Sequence, residues 1–94
     1  RPNQLHQRTS SIVKAHTQAL IIEYLEPQLT QEEADIYRRG RNAKSYTMAK
    51  NATMADYRKA TGLEAVIGYL YLTDQFARAV ELTKNAIDGL KLSV

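Results

Sequence analysis

Apolar residues recur along most of this chain at spacings of three and four, the period of a helix buried on one side. Leu5, Ile12 and Val13 mark a first short helix, with Asn3 placed to cap it. Ala15, Ala19, Ile22 and Leu25, joined by Leu20 and Ile21, mark a second. Pro27 ends that stretch or its last turn, because proline lacks an N–H donor and biases the residue before it away from helix. Thr30, followed three residues later by Glu33, has the form of a capping box. It opens a third helix through Ala34, Ile36 and Tyr37, with Gly40 as its weak point. Residues 40–53 are polar, basic and aperiodic, and read as a loop. Thr53 and Asp56 repeat the cap spacing and open a helix to about Leu72. Asp74 is placed to cap a last helix to about Leu90, with Phe76, Val80, Ile87 and Leu90 facing inward. No alternation of polar and apolar residues is long enough for a strand. The predicted class is all-α, a helical bundle forming one domain over residues 1–94.

The helix over residues 63–72 is apolar nearly all round, which is the pattern of a buried helix. Its exceptions fall on one line: Tyr57, Thr61, Glu64, Gly68 and Tyr71 recur at spacings of four, three, four and three. Glu64 therefore has small residues one turn away on either side. A glycine inside a helix costs about 1 kcal/mol relative to alanine, so Gly68 points to close approach of another group. Two readings of Glu64 stand at this level. It faces water or pairs with Arg58 or Lys59, or it supplies one ligand to a hard cation such as Mg²⁺, which takes one or two carboxylates plus waters.

Composition narrows the classes. Hydrophobic residues make up 44% and charged residues 24%, a globular balance that argues against disorder. With no cysteine, disulfide staples and thiolate zinc sites are excluded. His6 and His16 are too few for a histidine metal centre and read as surface or packing residues. The longest apolar run, residues 65–72, is far below the ~20 residues of a membrane span. No signal-peptide pattern opens the chain, so a cytoplasmic location is expected.

The formal net charge of +3 is unevenly spread. Residues 38–59 carry seven basic side chains and one acidic, while the segments on either side are mildly acidic. A basic block of this kind suits a polyanion such as nucleic acid or an anionic membrane surface, or serves only as a solvated loop.

Two stretches carry a resemblance. Residues 37–45 (YRRGRNAKS) and 57–72 (YRKATGLEAVIGYLYL) resemble Mini-ribonuclease III, the bacterial ribonuclease III-like family without a separate double-stranded-RNA-binding domain. Weaker agreement runs through residues 1–6 and 13–19. The resemblance implies the all-helical ribonuclease III catalytic-domain fold, acting as a homodimer. It implies hydrolysis of double-stranded RNA to 5′-phosphate and 3′-hydroxyl ends, with precursor large-subunit ribosomal RNA as the usual substrate. Glu64 falls on the family's metal-ligand glutamate, so Mg²⁺, with Mn²⁺ as a substitute, is the implied cofactor. Arg38, Arg39, Arg41, Asn42, Lys44 and Lys50 fall on or beside the family's RNA-contacting loop. His16 stands where related sequences often have lysine, which makes an RNA-phosphate contact conceivable there.

Two departures matter. Full-length ribonuclease III has an aspartate three residues before this glutamate, where Thr61 stands here, and its absence fits the mini branch. The family's glycine-aspartate signature, source of a second carboxylate, falls upstream of Arg1. The chain, which opens without methionine, is therefore expected to lack the N-terminal signature helix. Two alternatives follow: a non-catalytic double-stranded-RNA-binding module on the same fold, or an inactive fragment of the enzyme.

Overall fold

The structure is a computed structural model. It describes the backbone of residues 2–43 and 54–91, and side chains from residue 14 onward within those ranges. Four helices account for nearly all of it: α1 (Pro2–Leu25), α2 (Gln31–Asn42), α3 (Met54–Leu72) and α4 (Phe76–Leu90). No strand occurs among the described residues, so the expected all-α class holds.

α1 is one helix of 24 residues and not two. Nothing between Asn3 and Glu26 is glycine or proline, so nothing interrupts the hydrogen-bond ladder. Asn3 lies inside the first turn, and Pro2 occupies the first helical position, where its missing donor costs nothing. Pro27 acts as expected: the chain tightens into a 3₁₀ turn over Glu26–Gln28. Thr30 then caps α2 through a complete capping box. The Glu33 N–H donates to Thr30 Oγ1 (3.2 Å), and the Thr30 N–H donates to Glu33 Oε1 (2.9 Å).

Gly40 does not end α2, which runs two residues further. A Cβ there would lie 2.6 Å from the Ala65 Cβ, so the glycine lets α2 and α3 touch. Gly62 does the same one turn away: a Cβ would meet Cδ1 and Cε1 of the buried Tyr37 at 2.6 Å. Gly68, where close approach was expected, has nothing within 4 Å of a Cβ position.

The cap expected from Thr53 lies outside the described residues. Asp74 caps nothing on α4, whose N-cap is Gln75 and makes no side-chain cap hydrogen bond. Asp74 instead closes α3, with a left-handed φ of 60°. Its N–H donates to Tyr71 O (3.3 Å), and the Gln75 N–H donates to Leu70 O (2.7 Å). This is a Schellman ending, with aspartate in the place glycine usually takes.

Ile22 and Leu25 of α1, Tyr37 of α2, Leu63, Val66 and Leu70 of α3, and Ala79, Leu82 and Ala86 of α4 form the core. The buried face of α4 is thus rotated about one position from the expected one. Phe76 and Val80 face outward, 59% and 48% exposed, while Ile87 and Leu90 are half-buried.

Candidate active site

α1 and α3 pack through small residues. Ala15 and Ala19 on α1 and Ala60 on α3 are buried, which brings the two backbones close. Toward solvent the helices leave a depression of about 210 Å³. Lys14, Ala15 and Gln18 line one wall, and Tyr57, Ala60, Thr61 and Glu64 line the other. The 57–61–64 part of the sequence stripe is therefore one surface. Gly68 and Tyr71 do not belong to it. Tyr71 lines a separate apolar groove with Phe76, its ring edge-on to that phenyl at 5.7 Å between centroids.

Glu64 is exposed and makes no hydrogen bond or ion pair with any described residue. The pairings first considered for it do not form. Lys59 reaches α1 and pairs with Glu23 at 3.3 Å, and Arg58 points into solvent. The neighbouring groups are already engaged. Thr61 Oγ1 donates back to Tyr57 O at 3.0 Å. His16 Nδ1 meets Asp56 Oδ2 at 2.9 Å and ties α1 to the first turn of α3. His16 does not line the depression; Lys14, two residues earlier, does.

The donor set suits a hard cation as far as it goes. Glu64 offers a carboxylate, Gln18 an amide oxygen, and the cavity has room for water. No group of three or more His, Cys, Asp or Glu side chains converges among the described residues. One carboxylate with waters and phosphate oxygens is within the range that Mg²⁺ accepts.

The basic residues gather elsewhere, at the C-terminal end of α2. Asp35, Arg38, Arg39 and Asn42 line a shallow surface of about 470 Å³. Arg38 pairs with Asp35, its neighbour one turn back, and Arg39 and Asn42 are exposed. Arg41 turns onto the Tyr37 ring, 5.3 Å from its centroid. Cations in a last turn also favour the helix dipole. Lys44 and Lys50 lie outside the described residues. None of the other four basic-surface residues lines the Glu64 depression.

Sequence reasoning missed Lys14 and Gln18. They stand four apart and so share one face of α1, but only the packing of α1 on α3 brings that face beside Glu64.

Comparison with known proteins places the chain. The Ribonuclease III domain family matches residues 1–75. Mini-ribonuclease 3 of Clostridium tetani is 48% identical over 86 residues, covering 92% of this chain and 57% of that protein. The Brevibacillus brevis Mini-ribonuclease 3 is 48% identical over 86 residues, covering 92% and 64%. The Streptococcus pneumoniae Mini-ribonuclease 3 is 46% identical over 93 residues, covering 97% and 73%. The chain thus spans about 57–73% of the length of these relatives. With a family match over four-fifths of its length and relatives near half identity, this chain belongs to the Ribonuclease III domain family, in its Mini-ribonuclease 3 group.

Proposed function

We propose that this chain is the helical catalytic portion of a divalent-metal-dependent endoribonuclease that cleaves double-stranded RNA. The observation that carries the reading is Glu64: an exposed carboxylate without a partner among the described residues, set in an open depression between α1 and α3. Glu64 is the one charged residue in the apolar stretch 63–72, and its exposure leaves it free to bind.

In this reading Glu64 supplies one carboxylate ligand to Mg²⁺, with Mn²⁺ as a substitute. A bound Mg²⁺ would lower the pKa of a coordinated water and offset charge on the scissile phosphate. The chain's own residues orient that chemistry. Ala15 and Ala60 hold the walls together, and the His16–Asp56 hydrogen bond fixes the register of α1 against α3. Arg38, Arg39 and Asn42 present donors to backbone phosphates, and Arg41 follows if it leaves the Tyr37 ring. An A-form duplex is read mainly by shape and backbone, which suits a surface of cations with little else. The basic residues Lys44 and Lys50 extend the same block in sequence.

Precursor large-subunit ribosomal RNA is the proposed substrate, in the cytoplasm, on the strength of the family resemblance. No helix among the described residues is long and apolar enough to cross a membrane. A homodimer is supported by the outward apolar residues Tyr71, Leu72, Phe76 and Val80 at the α3–α4 end. A second reading, duplex binding without cleavage, draws on the single carboxylate in the depression.

The test is a cleavage assay of the complete protein on duplex and single-stranded RNA of equal length, with Mg²⁺ and with chelator. Mg²⁺-dependent cutting of the duplex alone supports the nuclease. Duplex binding without cutting in Mg²⁺ or Mn²⁺ supports the second reading.

A further inference from the structure

The depression beside Glu64 has a charged group on its other wall. Lys14 and Gln18, four residues apart and hence on one helical face, come from α1. Glu64 and Thr61 come from α3. Lys14 and Glu64 do not pair: no N···O approach of 4.0 Å or less joins them, and Lys14 makes no ion pair with any described residue. An ammonium and a carboxylate thus face one open cavity without neutralising each other. The depression, about 210 Å³ and open to solvent, has room for a phosphodiester group. Of the other basic groups nearby, His16 is committed to Asp56 and Lys59 to Glu23, while Arg58 is exposed and does not line the depression.

We propose that Lys14 is a phosphate-binding residue of this site, its ammonium taking an oxygen of the RNA phosphodiester that enters the depression beside Glu64. The proposal rests on the nuclease reading above. A phosphodiester is an anion, and a bare carboxylate repels it. A divalent cation held by Glu64 would offset part of the phosphate's charge, and a cation on the opposite wall would offset more. A lysine ammonium is a compact point charge with three donors on a flexible stem, able to meet a phosphate oxygen from the opposite wall. Gln18, one turn further along α1, adds an amide N–H₂ on the same side. Lysine at position 14 thus places a cation in the Glu64 depression, separate from the basic end of α2.

The test uses the complete protein and a short RNA duplex, with Ca²⁺ in place of Mg²⁺ and absence of cutting checked on a gel. Dissociation constants are measured across salt concentrations. Each phosphate contact contributes about 0.9 to the slope of log K against log salt. Lys14→Ala and Lys14→Gln are expected to lower that slope by about one, which is about eightfold weaker binding at 0.1 M salt. Lys14→Arg is expected to keep the slope. Lys91→Ala, an exposed lysine at the C-terminal end of α4 and outside every surface assigned above, serves as the control and should bind like the parent. Unchanged melting temperatures in the Lys14 variants separate lost contact from lost structure. If the parent binds duplex and both charge-removing variants keep its slope, the assignment of Lys14 is overturned while the nuclease reading stands. If the parent binds no duplex, both fall.

Discussion

The guanidinium of Arg78 on α4 meets the carboxylate of Glu33 on α2 through two hydrogen bonds, 2.9 and 3.0 Å long. The same guanidinium donates to Gln28 O at 2.8 Å, and Glu33 also closes the capping box with Thr30. Glu33 is 3% exposed and the Arg78 side chain 22%, so a buried carboxylate meets a partly exposed guanidinium, which also pairs with Glu81 at 3.2 Å, and the pair joins the start of α2 to α4. The Arg78 hydrogen bond is the main reason the Glu33 carboxyl is held below its ordinary value of 4.5, with burial opposing it.

Removing Arg78 leaves the buried Glu33 carboxylate without its charge partner. Arg78→Met is expected to cost about 2 kcal/mol, read by urea unfolding. The pH dependence follows from the sign of the shift. A depressed folded-state pKa gives stability that is present above 4.5 and lost as pH falls below it toward the folded value. The parent's unfolding free energy should therefore decline on acidification through this window, and Arg78→Met should show a shallower decline. Equal acid limbs in the two proteins would remove the pair from that role.

The glycines separate by environment. Gly62→Ala drives a methyl to 2.6 Å from the Tyr37 ring and 3.0 Å from Tyr37 O, and is expected to destabilise by about 1–3 kcal/mol. Gly68→Ala meets nothing within 4 Å and should raise stability by up to about 1 kcal/mol through helix propensity. Thermal unfolding of the two variants side by side checks the order.

Much of the fold was legible because its signals are local. Thr30 and Glu33 make the capping box that their spacing announces, and Pro27 tightens the chain where its chemistry requires. What failed depended on partners distant in sequence. Residues 63–72 of α3 are apolar on nearly every side, so the pattern did not say which glycine would meet a neighbour; Gly62 on α3 and Gly40 on α2 do, and Gly68 does not. On α4, a rotation of about one residue exchanged Phe76 and Val80 for Ala79 and Leu82 in the core, because small residues allow α4 to lie close. Asp74 was misplaced because an aspartate before a helix reads as an N-cap, whereas here it ends the preceding one. For the site, Glu64 was visible as an anomaly in an apolar helix. Lys14 was not, because only tertiary packing brings α1 beside it.

The exposed apolar residues at the α3–α4 end test the proposed homodimer. Phe76→Asp with Val80→Asp is expected to leave the helical circular dichroism intact, since both side chains face outward, and to halve the sedimenting mass. An unchanged mass would place any dimer contact elsewhere.

The end of α2 tests the RNA surface. Reversing Arg38 and Arg39 to glutamate is expected to weaken duplex binding at 0.1 M salt by at least tenfold and to lower the salt slope by about two. The loss should be uniform across duplex sequences, as expected for phosphate contacts. Wild-type affinity in the double variant would mean that RNA does not use this face.

The most direct measurement is cleavage and binding by Glu64→Gln in the complete protein. Glutamine keeps the shape and removes the charge that a hard cation requires. Glu64 is exposed and makes no hydrogen bond or ion pair with a described residue, so the fold should be unaffected. Single-turnover cleavage of duplex RNA in Mg²⁺ is expected to fall by about 10³-fold, equivalent to about 4 kcal/mol of transition-state stabilisation, with duplex affinity in Ca²⁺ held within a few-fold. Cleavage at the parent's rate by a folded Glu64→Gln protein would contradict the assignment of Glu64 to the metal site.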